Sequence, residues 1–166
     1  MPKRSTGIID QKLESDNYFR LAFEYQMQGD FSQAIFFYKK SLEQSPSAEA
    51  FTFLGWTYSF MGLWDKAIDS CKKAIEIDPE LGNPWNDIGA YYIELGKLDE
   101  AIPYLEQAAQ CEKYDSPYYP HFNLSRIYRK KGMLKRSQEE LEKSLRHNPS
   151  YQPAKDALEK LQREFN

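Results

Sequence analysis

Apolar and polar positions in this chain repeat on two scales. Over short distances, a large ring is followed three places on by Leu or Ile and four places later by Tyr. The sets are Tyr18, Leu21, Tyr25; Phe51, Leu54, Tyr58; Trp85, Ile88, Tyr92; and His121, Leu124, Tyr128. That spacing puts each set on one face of a helix. Over long distances the motif itself returns. Gly29, Gly62, Gly96 and Gly132 lie 33, 34 and 36 residues apart. A small residue, Ala34, Ala67, Ala101 or Ser137, follows five places after each. A fixed period in this range signals stacked repeats.

The elements follow from the pattern. Each glycine ends a first helix, because it accepts the positive φ of a helix C-terminus. Pro46, Pro79 and Pro149 end the second helices, since proline cannot continue a helix; the third repeat has Lys113 at that place. Between the helices of a pair, Gly55 and Gly89 leave room for a close crossing, with Ala22 and Ser125 as the next-smallest choices. The pattern predicts nine helices, four pairs and a closing one, with first helices near 15–28, 48–61, 82–95 and 118–131. Pro103 falls inside the third pair's second helix and is expected in its first turn, where a missing N–H costs nothing. The repeats are expected at 15–47, 48–81, 82–117 (with an extended junction rich in Tyr and Pro) and 118–151. The segment 152–166 is a closing helix with Ala154, Ala157, Leu158 and Leu161 on one stripe. Residues 1–14 form an arm, with Met1–Gly7 expected to be disordered and Ile8, Ile9 and Leu13 able to cover the first repeat.

Composition agrees with an all-α class. Valine is absent, and helix formers replace the β-branched residues that strands favour. No apolar run is long enough for a membrane span, and the N-terminus lacks a signal-peptide core, so a cytoplasmic location is expected. Net charge is −3 overall. It is unevenly spread: residues 1–115 hold 11 basic and 19 acidic side chains, while residues 116–166 hold 11 and 6. The acidic balance and the lack of a coherent basic stripe argue against nucleic acid.

Chemistry is sparse. Cys71 and Cys111 form no C-x-x-C pair and read as inert thiols. His121 and His147 have no ligand-spaced Cys or carboxylate and read as structural. Glu139-Glu140 reads as a solvated face. No phosphate-cradling loop is present. No catalytic residue, cofactor or metal is expected, and the chain is not expected to be an enzyme.

The repeated positions, from Tyr18-x-x-Leu21-Ala22-x-x-Tyr25 to His121-x-x-Leu124-Ser125-x-x-Tyr128, resemble the tetratricopeptide-repeat (TPR) family over roughly residues 15–150. The resemblance implies a right-handed superhelical solenoid of four helix-turn-helix repeats plus a capping helix. It also implies a concave groove, lined by the first helices, that holds a peptide or helix of a partner protein. Carried over by position, the first repeat contributes Asp16, Phe19, Arg20, Phe23 and Met27. The second contributes Glu49, Thr52, Phe53, Trp56 and Phe60. The third contributes Asn83, Asn86, Asp87, Ala90 and Glu94, and the fourth Tyr119, Phe122, Asn123, Arg126, Arg129 and Lys130. The groove so built is aromatic towards its N-terminal half and polar and basic towards its C-terminal half. Large rings beside Arg are what interface hot spots use. Two arrangements fit the aromatic half: open, or covered by residues 8–14.

The carboxylate clamp of TPR co-chaperones needs Lys and Asn, then Asn, then Lys and Arg. The matching positions here are Phe19, Phe23, Phe53, Asn83 and Asp87, and a frame one repeat later gives Thr52, Trp56, Asp87, Tyr119 and Asn123. Neither frame keeps the clamp. An adaptor or scaffold role is the leading expectation. A secretion-type chaperone for an effector protein, or a homo-oligomerisation module such as a homodimer, are the alternatives.

Overall fold

A computed structural model describes residues 4–165 and contains nine helices among them: α1 (Arg4–Met27), α2 (Phe31–Gln44), α3 (Ala48–Phe60), α4 (Trp64–Ile77), α5 (Gly82–Glu94), α6 (Leu98–Ala108), α7 (Tyr118–Lys130), α8 (Leu134–His147) and α9 (Gln152–Phe165). The described residues contain no strand, only an isolated parallel bridge between Leu81 and Lys113. The chain divides into two compact units, Met1–Pro79 and Glu80–Asn166. In the first, α1 packs on α2, α3 on α4, and α3 also on α2 and α1. In the second, α5 packs on α6, α7 on α8, α7 also on α6 and α5, and α9 on α8. Pairs thus stack in sequence order within each unit. The class is an all-α helical repeat, as the periodicity requires.

The four turns share one geometry. Gly29, Gly62, Gly96 and Gly132 have φ of 79°, 69°, 73° and 72°. Each lets the next N–H reach back to the carbonyl of the motif tyrosine: Asp30 to Tyr25 at 2.9 Å, Leu63 to Tyr58 at 3.0 Å, Lys97 to Tyr92 and Met133 to Tyr128 at 2.8 Å. Carbonyls orphaned at a helix end are satisfied this way, so the glycine is required by the backbone. Beyond the turn, Ala34, Ala67 and Ala101 are fully buried and Ser137 nearly so. The Ser137 hydroxyl donates to the Ser125 carbonyl at 2.9 Å, which satisfies the polar group that this repeat has in place of alanine.

Four expectations are corrected. The arm is not separate: α1 runs unbroken from Arg4, and Ile8, Ile9 and Leu13 are 69%, 65% and 61% exposed, so they cover nothing. Nothing in residues 4–14 breaks a helix once Ser15 is anchored, its hydroxyl donating to the Ser41 carbonyl at 2.9 Å. Disorder was expected over Met1–Gly7; residues 4–7 are helical, and residues 1–3 lie outside the described residues. Pro103 is the sixth residue of α6, beyond its first turn. It withholds an N–H from the Asp99 carbonyl, one turn back, at the start of the helix. Glu140 is not solvated: it is 8% exposed, accepts from Lys143 Nζ at 2.5 Å, and lies 2.7 Å from His121 Nδ1. Burial pushes its carboxyl up, but these two contacts outweigh that and hold it below the usual carboxylate range. His121 in turn stacks on His147, centroids 5.4 Å apart. The two histidines and Glu140 thus tie α7 to α8.

The extended third junction is ordered by a specific pairing. The Gly82 N–H donates to the Lys113 carbonyl, and the Lys113 N–H to the Glu80 carbonyl, both at 3.1 Å. Tyr114 then lies on Gly82, where a Cβ would come within 2.4 Å of its ring. The junction's two extra residues therefore fold back along the entry to α5.

Candidate interaction surfaces

In the first unit, six rings from α1, α3 and α2 form a continuous strip. Phe19 meets Phe53 edge-on at 5.2 Å, and Phe23 meets the same ring at 5.8 Å. Phe53 meets Trp56 at 5.8 Å, Trp56 meets Phe60 at 5.3 Å, and Phe60 stacks on Phe31 at 5.2 Å. Phe19 and Phe53 are half-buried beneath it. Phe23, Trp56, Phe60 and Met27 are 37%, 39%, 52% and 66% exposed. The strip is open. Under it, Gln26 Oε1 accepts from the Tyr38 hydroxyl at 2.7 Å and from Thr57 Oγ1 at 3.0 Å, a buried bridge joining α1, α2 and α3 that fixes the strip's floor. Phe31 was missed in the sequence because it precedes the second helix's repeating positions; only its place at the helix start, beside the turn, could have signalled it.

Thr52 was expected to line this surface but is buried, its hydroxyl donating to the Ala48 carbonyl at 2.8 Å. A back-bonded, buried threonine satisfies its own helix and offers nothing to a partner.

The second unit's surface differs from expectation in three ways. Asn86 and Asn123 are buried and bonded together, Asn123 Nδ2 donating to Asn86 Oδ1 at 3.1 Å. They join α5 to α7 as packing. The basic residues are largely committed: Arg126 donates to Asn123 at 3.2 Å and to Glu94 at 3.3 Å, and Arg129 pairs with Glu164 of α9. Lys131, outside the expected set, pairs with Asp99. Lys130 and Asn83 are exposed. The half read as polar and basic also carries rings. Tyr118 and Tyr119 lie 4.4 Å apart, and Tyr151, between α8 and α9, meets Tyr118 at 4.9 Å, Tyr119 at 5.5 Å and Phe122 at 5.3 Å. Tyr151 lies outside the repeat positions, so no periodicity could point to it.

Asp87 is half-buried on α5, and burial pushes its carboxyl up to about 7 although Asn86 hydrogen-bonds to it. A raised folded-state pKa means the ionised form opposes folding. Its cost is absent below the ordinary value near 3.8, grows as pH rises towards 7, and is full above that. Asp87→Asn is therefore expected to be more stable than wild type by about 1–2 kcal/mol at pH 8, with the gap closing by pH 4. Denaturant melts across pH 4–8 check this, and a gap independent of pH would contradict it.

Among the described residues, no group of three His, Cys, Asp or Glu is placed to hold a metal, and no helix is long and apolar enough to cross a membrane. Cys71 is buried and Cys111 half-buried, and neither forms a disulfide.

Stacked helix pairs, glycine turns closing on a tyrosine carbonyl, and small residues at each crossing define a helical repeat protein of the kind used for protein–protein interaction. The chain belongs to the tetratricopeptide repeat family, whose models match residues 15–48, 48–81, 70–102 and 119–151. The third match straddles two repeats and stops before the extended junction. Protein bimA of Emericella nidulans is 29% identical over 60% of this chain, which spans only 12% of bimA's length. A Photosystem I assembly protein Ycf3 of Prochlorococcus marinus is 30% identical over 62% of this chain and 66% of its own. Among solved structures, Pseudomonas aeruginosa pilF superposes with a TM-score of 0.86 over 93% of this chain and 70% of its own, at 24% identity. That likeness is one of fold. TPR proteins generally mediate protein–protein interactions and are typically not enzymes.

Proposed function

We propose that this chain is a non-catalytic adaptor that holds a partner protein through the aromatic strip of its first unit. The observation that carries the reading is the exposure of Phe23, Trp56 and Phe60 in one connected ring strip over a fixed polar floor. A contiguous apolar patch left open to water marks an interaction site. Rings are the preferred anchors, because they bury large areas at little entropic cost. The ligand this suits is a peptide or helix presenting large apolar side chains. Tyr119, Phe122 and Lys130 of the second unit form a separate, more polar surface. An assembly role, as the name of the Ycf3 relative states for that protein, would use such a surface to hold one component for others. A cytoplasmic location belongs to the same proposal.

The test uses the partner captured by the wild-type chain. Trp56→Ala is expected to weaken its binding by about 2 kcal/mol, measured by calorimetry, while melting temperature and helical spectrum stay near wild type. The ring is more than a third exposed, so its loss leaves no sealed cavity. Binding at wild-type strength would reject the strip as the site, and unfolding would show Trp56 to be core.

The basic residues lead to a further expectation. Arg126 spends its guanidinium on Glu94 and Asn123, so Arg126→Glu is expected to change partner affinity by less than about 1 kcal/mol and to show little salt dependence. Association rates from 50 to 500 mM salt (about 14 to 4 Å screening length) check this. A steep salt dependence would mean that Arg126 leaves Glu94 on binding.

A further inference from the structure

α1 is nearly twice as long as the other first helices and carries apolar residues on two faces. One face packs on α2 through Ser15, Ala22 and Gln26, all buried. The other is a seam of residues spaced alternately four and three apart: Ile9, Leu13, Asp16, Arg20, Phe23 and Met27. This is the spacing of a heptad seam, which keeps its residues on one stripe when two helices wrap around each other. The whole seam faces solvent. Ile9, Leu13, Phe23 and Met27 are 65%, 61%, 37% and 66% exposed, and Asp16 and Arg20 are exposed as well. Only Phe23 is partly covered, by its ring contact with Phe53.

The order of chemistry along the seam is self-complementary: apolar, apolar, acidic, basic, apolar, apolar. An antiparallel copy centred near residue 18 sets Ile9 against Met27 of the second copy, Leu13 against Phe23, and Asp16 against Arg20, each pair occurring twice about the two-fold axis. Such layers are how antiparallel seams mesh, and a symmetric dimer joins the same patch on both subunits. A parallel pairing would instead set Asp16 on Asp16 and Arg20 on Arg20. A one-turn slip would bury charges against apolar groups. The central ionic layers therefore select both direction and register. The present contacts of these two side chains are weak and local: Lys12 Nζ lies 3.9 Å from Asp16, and Arg20 reaches Asn17 at 3.4 Å. They can be exchanged at small cost. The seam runs for about 27 Å at the rise of an α-helix.

We propose that this seam is a self-association surface, pairing α1 antiparallel with α1 of a second copy through Ile9, Leu13, Phe23 and Met27, with Asp16 and Arg20 as mutual partners. The pairing shares Phe23 with the aromatic strip, where that ring packs on Phe53, and leaves the exposed Trp56 and Phe60 unused. Asp10 and Glu24 flank the seam on one side and come near each other across the pair, which weakens the association and makes it concentration-dependent.

Sedimentation equilibrium of the full chain, wild type and variants, tests this. Wild type is expected to show a reversible monomer–dimer equilibrium. Asp16→Arg and Arg20→Asp are each expected to weaken it by about tenfold or more, because each sets like charges opposite in both central layers. The double variant Asp16→Arg/Arg20→Asp restores the pairing and is expected to return the constant to within about threefold of wild type. Asp16, Arg20 and Trp56 are all solvent-exposed, so helical spectra should match throughout. Trp56→Ala should dimerise as wild type does, whatever its effect on partner binding. A wild type that stays monomeric at millimolar concentration overturns the proposal. So does a dimer indifferent to either single reversal, a double variant that fails to recover, or a dimer lost in Trp56→Ala.

Discussion

Gly89→Leu is expected to destabilise the chain by about 3 kcal/mol, the upper end of what overpacking costs. Gly89 lies on α5 at the crossing with α6. A Cβ there would lie 2.5 Å from both Cγ and Cδ2 of Leu105, which is itself fully buried. Leu105 can yield only by pushing into Ile93, Ala101, Leu124, Ile127 and Tyr128, the cluster that joins this pair to the next. A leucine at position 89 adds three further carbons to that collision, so the helices must separate. Close-packed interiors transmit such a displacement instead of absorbing it. Thermal and urea melts measure the loss. The exposed Lys135→Ala, made in parallel, is expected to change stability by no more than about 0.5 kcal/mol. Equal effects from the two substitutions would mean that the helix register is wrong. Gly89→Ala, with one carbon, should fall between them.

Leu161→Ala is expected to cost a similar amount, about 3 kcal/mol, for the opposite reason. Leu161 is fully buried where α9 closes the last pair, beside Leu141 and Ala154, with Phe122, Leu145, Tyr151 and Leu158 packed around them. Removing its side chain leaves a hole that α9, packed on α8, can close in part by shifting. α9 also supplies Glu164 to Arg129. A shifted or frayed α9 should therefore free Arg129 and expose the tyrosine cluster around Tyr151. The expected result is a loss of melting temperature together with faster amide exchange in α8 and α9. Exchange unchanged there, with the stability loss spread over the whole chain, would show that α9 folds as one cooperative body with everything before it.

The candidate surfaces were only partly legible from residue spacing. Phe23, Trp56 and Phe60 stand where a repeating stripe puts them, and the structure leaves them open. Thr52, Asn86 and Asn123 occupy equivalent stripe positions and are buried. Helical periodicity gives the direction in which a side chain leaves its helix. It does not say whether the neighbouring helix fills that direction. The charges show the same gap. The six basic residues of 116–138 look like an unpaired run along the chain, yet Arg126, Arg129 and Lys131 pair with Glu94, Glu164 and Asp99, each more than thirty residues away. Partners so distant cannot be read from local charge patterning. Glu140 was misread for the same reason, since the half-buried His121 that holds it lies on another helix.

By itself, the sequence determined the helix count, the turn positions and the close crossings. Those depend on local physics: a positive φ that glycine tolerates, a proline that stops a helix, a small residue where two backbones approach, a ring three places from a leucine. Each acts within a few residues, and repetition multiplies the signal. Only the tertiary structure decided that α1 continues to Arg4 with a bare second face, that Phe31 and Tyr151 complete ring clusters, that Asp87 loses water without gaining a cation among the described residues, and which charges remain for a partner. Those outcomes depend on what lies across a helix from a given side chain. That neighbour is set by packing between segments tens of residues apart, where no spacing rule along the chain applies.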